Sequence, residues 1–117
     1  MKKISYEEYF IGGRLMKKDL SQTCYRFFST LANPVRLAML ENLSKRSMNV
    51  SEIAESLKQE QSMVSHNLRP LVRCGFVRFE RKGKERIYHL NRDTFEALLS
   101  VVEEHAQKRC PTGGRCR

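Results

Sequence analysis

The sequence has no tryptophan, only three prolines, and only 13 acidic residues against 22 lysines and arginines. The shortage of acids leaves a formal net charge of +9, which attracts polyanions, so nucleic acid is the first partner to consider and an anionic membrane surface the second. A run of about 18 apolar residues, as a membrane-spanning helix requires, is also missing. We therefore expect no membrane partner and a location in the cytoplasm.

A signal-peptide pattern is missing as well, because the opening residues MKKISYEEYF turn acidic and aromatic where an apolar stretch would be needed. The four cysteines are therefore expected in a reducing compartment, as thiols or metal ligands rather than as two disulfides. A chain of 117 residues has the bulk of one small domain, which argues against a two-domain enzyme. We assign that domain to residues 1–109 and a flexible, cysteine-containing tail to residues 110–117.

The first half of the chain carries helical patterns. Residues 5–17 mix aromatic and aliphatic side chains at roughly helical spacing around a Gly-Gly pair, which predicts a frayed or broken helix. An amphipathic helix is predicted next by the apolar stripe Cys24, Phe27, Phe28 and Leu31. Asn33 and Pro34 favour the N-cap and first position of a third helix. We expect that helix to reach about Lys45, with a buried edge formed by Val35, Leu37, Leu40 and Leu43.

Residues 51–74 have the pattern of a helix-turn-helix. A short helix from Ser51 to Leu57 begins with Ser-x-x-Ala in place of a full capping box. The next helix runs from about Ser62 to Cys74, and Gly75 is expected to end it in the left-handed conformation. One face of this helix has no hydrophobic residue and suits water or a polar partner: Ser62, Ser65, His66, Arg69 and Arg73.

From residue 76 to residue 90 the pattern changes to period two, which predicts a two-stranded hairpin with the basic tip Lys82-Gly83-Lys84. Asn91 or Asp93 is expected to cap a final helix with the apolar stripe Phe95, Leu98, Leu99, Val102 and Ala106. Helices followed by a hairpin with a basic loop are the order of a winged helix-turn-helix. The predicted fold class is therefore mostly α with a β-hairpin wing.

Two runs of residues carry a family resemblance. The first run is FFSTLANPVRLAMLENL, which begins at Phe27, and the second is SEIAESLKQEQSMVSHNLRPLVRCGFVRFERKGKERIYHL, which begins at Ser51. Both runs resemble the ArsR/SmtB family of transcriptional repressors. The resemblance covers roughly residues 23–90 and includes a recognition helix, a glycine stop and a wing. It implies a homodimer that represses a promoter and releases it when a metal, a metalloid or a thiol-reactive signal binds.

A helix that enters the major groove needs small or polar residues at its N-terminal end, so that its backbone approaches the base edges. Four residues fit this requirement: Gln61, Ser62, Ser65 and His66. Arg69 and Arg73 lie further along, where phosphates would pass. The wing tip offers three more cations for a minor groove or a phosphate backbone: Arg81, Lys82 and Lys84. We predict that eight of these residues, all but Arg73, bind double-stranded DNA.

The inducer sites of well-known ArsR/SmtB relatives are absent from this sequence. The two cysteines of the family's Cys-x-Cys site would fall at positions 49 and 51, which are Asn49 and Ser51 in this sequence. The family's zinc-binding pattern on the last helix is also missing, and only an isolated histidine, His105, remains there as a candidate ligand. Cys110 and Cys116 flank a flexible Pro-Thr-Gly-Gly-Arg spacer, among basic residues that favour thiolates. Two thiolates suit As(III) or a disulfide, whereas Zn(II) needs further ligands such as His105 or a residue of a partner subunit. The alternative is an unstructured basic tail with two incidental cysteines.

These observations predict a homodimeric, sequence-specific DNA-binding repressor. Dimerisation would add core to a small chain by burying the segment around Tyr9 and Phe10 and the final helix against their symmetry mates. Two other functions stay open, a DNA binder without an inducer and a protein-interaction module on the same scaffold. An enzyme is not expected, because Ser65 and His66 have no acid in a triad-like context. The two remaining cysteines are expected in the core: Cys24 and Cys74.

Overall fold

The computed structural model of the protein describes residues 10–11, 14–15 and 20–115, with side chains from residue 25 to residue 115. In chain order the elements are β1 (Phe10–Ile11), β2 (Arg14–Leu15), α1 (Leu20–Leu31), α2 (Pro34–Lys45), α3 (Val50–Leu57), α4 (Gln61–Arg73), β3 (Val77–Lys82), β4 (Glu85–Leu90) and α5 (Arg92–Lys108). The predicted fold class is confirmed, since α3 and α4 form a helix-turn-helix and β3 and β4 form the wing. No helix within these ranges is both long enough and apolar enough to cross a membrane.

The segment before α1 differs from the prediction. β1 and β2 pair in an antiparallel arrangement with Phe10 opposite Leu15, so the broken helix predicted over residues 5–17 is wrong where the chain is described. In a sequence, a Gly-Gly pair is a signal for a two-residue hairpin turn as well as for a helix break, so the pattern of residues 5–17 allowed both interpretations. Tyr9, which we expected in a dimer interface, lies outside the described residues.

The junction of α1 and α2 follows the predicted Asn-Pro signal. The Asn33 side chain accepts hydrogen bonds from the backbone N–H groups of Val35 (2.9 Å) and Arg36 (3.2 Å). Pro34 occupies the first helical position, where its ring supplies a helical φ and where α2 needs no N–H. The predicted start of α2 and its end at Lys45 are therefore confirmed.

α2 buries one face on the core, but not every predicted position lies on it. Met39, Leu40 and Leu43 are almost inaccessible, whereas Leu37 is 47% exposed. At about 100° per residue, the three buried side chains centre on the direction of Arg36, and Leu37 points about 100° away from it. The prediction for Leu37 is wrong for this reason, and Met39 takes the core position instead.

α3 begins one residue earlier than predicted. Asn49 and Glu52 form a full capping box, so the helix starts at Val50 and Ser51 is its second residue. The Asn49 side-chain oxygen accepts from the Glu52 N–H (2.8 Å), and the Glu52 carboxylate accepts from the Asn49 N–H (3.1 Å). Two backbone donors that the first turn leaves without partners are thereby satisfied.

Gly75 closes α4 as predicted. Its φ is +79°, and the N–H groups of Gly75 and Phe76 donate to the carbonyls of Val72 and Leu71, which is the Schellman pattern of helix ends. Phe76 then turns into the core, where it is 2% exposed. The chain therefore passes from α4 directly into the wing.

The predicted hairpin extends from Val77 opposite Leu90 at its base to Lys82 opposite Glu85 at its tip. Gly83 has a φ of +65° at the first position of the two-residue turn, a conformation that glycine adopts without steric strain. This geometry confirms the predicted wing and places its basic turn at the outer end of the hairpin.

The core lies between α2, α3, α4 and the base of the wing. Its least accessible large side chains are Phe76, Met39, Leu40, Leu43, Ile53, Leu68, Leu71, Val64 and Val77. From α5, Phe95 and Leu98 pack against this core, while three other apolar side chains of α5 are 42%, 65% and 53% exposed: Leu99, Val101 and Val102. Asn91 precedes α5 without capping it, because its side chain donates to the carbonyl of Gly75.

Candidate nucleic-acid interface

The two sides of α4 differ sharply in chemistry. Val64, Leu68 and Leu71 are buried in the core. Six exposed polar residues span a sector of about 140° at about 100° per residue, and the exposed Met63 lies outside it: Gln61, Ser62, Ser65, His66, Arg69 and Arg73. No acidic residue occurs in α4, so nothing on the helix itself neutralises its two arginines. The five predicted DNA contacts of this helix therefore share one polar, cationic face.

The first residue of α4 also contacts α3. The Gln61 amide nitrogen donates a hydrogen bond to the Ser51 hydroxyl (3.1 Å). This bond uses one amide N–H and leaves the amide oxygen and the second N–H able to bind another partner. Gln61 is thus oriented at the exposed start of α4, where we predicted contact with a base edge.

The wing tip concentrates positive charge. Arg81, Lys82 and Lys84 are all exposed, as the prediction requires. The hairpin register sets Arg81 directly opposite Arg86, and like charges in that relationship destabilise a sheet. The Arg86 guanidinium lies over the Phe79 ring, 4.7 Å from its centroid, which gives it a favourable contact within the hairpin.

A groove of about 600 Å³ lies between α4 and the wing. Four cationic side chains line it: Arg69, Arg73, Lys84 and Arg86. Phe79 and Tyr88, with ring centroids 5.6 Å apart, add an aromatic wall. One lining residue is acidic, Glu85, and its carboxylate accepts a hydrogen bond from the Asn49 side-chain amide (3.3 Å). The groove joins α4 and the wing tip into one continuous surface.

The sequence prediction missed part of this surface. Arg86 was not among the predicted contacts, although period-two alternation along β4 places it on the same face as Tyr88. Arg73 was placed with Arg69 where phosphates would pass but was left out of the predicted contact set, and it also lines the groove. Asn49 gave no sequence signal for this role, because its contact with Glu85 joins residues 36 positions apart.

An ion pair holds the start of α3, which borders the groove. Arg46 Nη1 lies 2.7 Å from Glu52 Oε2, and the Asn49 N–H donates to the other carboxylate oxygen. The hydrogen bond from Arg46, followed by the one from Asn49, lowers the pKa of Glu52 below its ordinary value of 4.5. The carboxylate that completes the capping box therefore stays ionised to a lower pH than an ordinary glutamate.

The predicted metal ligands lie at the end of α5 and beyond it. His105 is exposed, and its backbone carbonyl accepts from the Cys110 N–H (2.9 Å). The Cys110 sulfur lies 3.3 Å from the Thr112 hydroxyl and accepts from the Gly114 N–H (3.4 Å). Cys116 is outside the described residues. Among the side chains that are described, no group of three or more His, Cys, Asp or Glu residues is arranged to hold a metal ion.

The two other cysteines were predicted in the core. Cys74 is half-buried and packs against the core, with its sulfur 3.2 Å from the Thr30 hydroxyl, so the prediction for Cys74 is confirmed. The side chain of Cys24 is not among those described. Cys74 is therefore a packing residue that can serve as a control for the tail cysteines.

Comparison with known proteins identifies the family. Residues 33–78 match the model of the bacterial regulatory protein arsR family. The transcriptional repressor SmtB homolog of Synechocystis sp. is 33% identical over 94 residues, which are 80% of this chain and 71% of that protein. The chain belongs to the arsR family. This ArsR/SmtB-type protein is a transcriptional repressor with a winged helix-turn-helix for binding DNA, and it is not an enzyme.

Two further proteins extend the comparison. The repressor is 38% identical over 66 residues to the probable mercury resistance operon repressor of Streptomyces lividans, a match that covers 56% of this chain and 53% of that protein. Mycobacterium tuberculosis Rv0081, for which a crystal structure is known, is 32% identical in sequence to this chain. The two structures superpose with a TM-score of 0.69 over 78% of this chain and 93% of that chain. The family identity and the fold therefore agree.

Proposed function

We propose that the exposed face of α4 and the wing tip together bind double-stranded operator DNA. In this proposal α4 enters the major groove, where four side chains reach base edges: Gln61, Ser62, Ser65 and His66. Arg69 meets a phosphate further along the helix. The wing cations Arg81, Lys82 and Lys84 meet the adjacent backbone or minor groove. The observation that carries the proposal is the acid-free face of α4, which the groove and its four cations connect to the wing.

We also propose that the repressor acts as a homodimer through α1 and α5. Support comes from large apolar side chains exposed on these two helices: Tyr25, Phe28, Leu99, Val101 and Val102. A second copy of the chain would cover this surface and extend a small core. In a two-fold dimer the two α4 helices would address half-sites about one DNA turn apart. The segment around Tyr9 and Phe10 stays part of the predicted interface, and Tyr9 lies outside the described residues.

For the inducer, we propose that Cys110 and Cys116 bind a soft ion such as As(III) and that binding releases the operator. The chain turns back after Cys110, because the Gly113 N–H donates to the Cys110 carbonyl (3.1 Å) and both following glycines have positive φ. A Cβ built on Gly114 would lie 3.1 Å from the Ala106 Cβ, so the turn packs close to α5. The mercury resistance named for the Streptomyces relative points to the same class of thiophilic ion.

Zn(II) is the second candidate for this site. A structural zinc site has four ligands, so two thiolates would need His105 and a ligand from the second protomer. Since α5 belongs to the proposed dimer interface, an ion bound at its end would change how the protomers pack and therefore the separation of the two α4 helices. A changed separation would misalign one α4 helix with its half-site.

DNA binding is tested by fluorescence anisotropy with the reduced protein and its own upstream DNA over a range of salt concentrations. Four predicted cations in each protomer give a slope of log affinity against log salt of about −7 for the dimer. Arg69→Ala should reduce affinity about tenfold, whereas Arg92→Ala, which removes an exposed cation from α5, should have little effect. A slope near zero and equal binding to unrelated DNA would favour the protein-interaction module instead.

A further inference from the structure

Arg36 lies at the centre of the face that α2 buries, with Met39 and Leu43 among its neighbours on that face. Its side chain is half-buried. It belongs to none of the ion pairs among the described side chains, which are Arg46 with Glu52, His89 with Glu80, and Lys108 with Glu104. The Arg36 guanidinium instead makes two hydrogen bonds to neutral groups on two other helices.

The first of these groups is a carbonyl that α1 cannot satisfy by itself. In a continuing helix the Thr30 carbonyl would accept a hydrogen bond from the N–H of residue 34, but residue 34 is proline and has no N–H. Arg36 Nη1 donates to this carbonyl at 3.3 Å. A positive charge at this end of α1 also suits the helix dipole. Arg36 therefore completes the end of α1.

The second group is Asn67, which is 7% exposed on the buried side of α4. Arg36 Nε donates to the Asn67 side-chain oxygen at 3.0 Å, and the Asn67 amide nitrogen donates to the Met63 carbonyl at 3.0 Å. Both ends of the amide are thereby engaged. Asn67 directly follows His66, a predicted base contact, in the sequence. One arginine thus links the end of α1 to the middle of α4.

We propose that Arg36 and Asn67 are positioning residues that set the rotation of α4 relative to α1, and through it the geometry of the two α4 helices in the dimer. The inference rests on the DNA-binding homodimer proposed above. A guanidinium is planar and directs its N–H groups at fixed angles. When it donates to acceptors on two helices, it therefore restricts how those helices rotate relative to each other. The apolar contacts of α4 tolerate small rotations because they are non-directional, whereas hydrogen bonds weaken as their angles depart from linear.

The test measures how strongly the protein prefers one half-site spacing. An operator is selected from random DNA with the wild-type repressor, and one base pair is then inserted between its half-sites. We expect the wild type to bind the selected spacing at least about fivefold more tightly than the lengthened one. Arg36→Lys keeps the charge without the planar fork, and we expect its preference to be less than about twofold. Affinity for an isolated half-site should stay within about twofold, because the contact residues of α4 are unchanged. Arg92→Lys, the same substitution at an exposed position, should keep the wild-type preference.

Each other result has a distinct meaning. A wild-type spacing preference in Arg36→Lys, accompanied by a lower melting temperature, would show that Arg36 only stabilises the fold and would overturn the inference. Asn67→Ser serves if Arg36→Lys does not fold, since a serine hydroxyl is too short to reach the guanidinium, and it should lose the preference as well. If the selection enriches no sequence, the proposed DNA-binding function fails and the inference fails with it.

Discussion

Arg81 and Arg86 lie directly opposite each other on one face of the wing. Arg86 rests on the Phe79 ring, whereas Arg81 extends from the exposed strand beside it. Their repulsion destabilises the free hairpin, and a phosphate placed between them would remove that effect. The surface is therefore arranged for an anionic partner at some expense to the stability of the unbound protein, and the two properties can be separated by mutation.

We expect Arg81→Gln to change stability and DNA affinity in opposite directions. The free energy of unfolding measured in urea should rise by about 0.2 to 1 kcal/mol, because the repulsion between residue 81 and Arg86 is removed. Affinity for the operator should fall, and the salt slope should become shallower by about 2 for a dimer. Arg78→Gln is the matched control, since residue 78 lies on the other face of the same hairpin. Equal loss of affinity in both variants would contradict a specific DNA contact at Arg81.

The capping box of α3 should make stability depend on pH. Because the pKa of Glu52 is lowered in the folded protein, its ionised carboxylate stabilises the fold above the ordinary pKa of 4.5. This contribution is lost as the pH falls from 4.5 through the lowered pKa of the folded protein. Glu52→Gln should therefore melt below the wild type at pH 7, and the gap should narrow towards pH 3. Glu55→Gln, an exposed substitution on the same helix, should show no such convergence. A constant gap for Glu52→Gln would indicate that its charge has no role.

Local signals in the sequence were reliable where a few neighbouring residues decide the structure. The Asn33 cap and the Gly75 stop depend on side chains and backbone groups within a few positions of each other, and both predictions are confirmed. The cap of α3 was also readable, because Asn49 and Glu52 have capping-box spacing, but we took Ser51 as the start. The Gly-Gly pair near the N-terminus has two meanings, and local sequence did not distinguish them.

Tertiary contacts explain what the sequence could not predict. Leu37 and Met39 both fit a helical stripe, and only the position of α3, α4 and the wing determines which of them is buried. Arg36 contacts Asn67 across 31 residues, a relationship with no periodic signature in either helix. The polar face of α4 was predictable because it depends on one helix, whereas its connection to Arg86 required the register and placement of the hairpin.

The proposed dimer interface predicts a contrast between two nearby residues of α5. Val102→Glu places a charge in the apolar surface and should convert the dimer to a monomer in sedimentation equilibrium at micromolar concentration. The monomer should keep its helical circular dichroism, because Val102 is 53% exposed and contributes little to the core of one chain. Ser100→Glu, two residues away on the same helix, should remain a dimer. Dimerisation of both variants with wild-type affinity would place the interface elsewhere.

Replacement of the two tail cysteines should separate inducer response from DNA binding. We expect Cys110→Ser/Cys116→Ser to bind the operator as the wild type does but to stay bound when As(III) is added, because serine does not supply a thiolate to a soft ion. Cys74→Ser should still be released, since Cys74 packs against Thr30 and the core. His105→Ala distinguishes the ions: it should leave the As(III) response intact but abolish a response to Zn(II), because two thiolates alone do not complete a four-ligand zinc site. Anisotropy titrations of all four proteins would measure these effects. Release of the double-serine variant by As(III) would exclude the tail as the sensor and direct the search to another thiol.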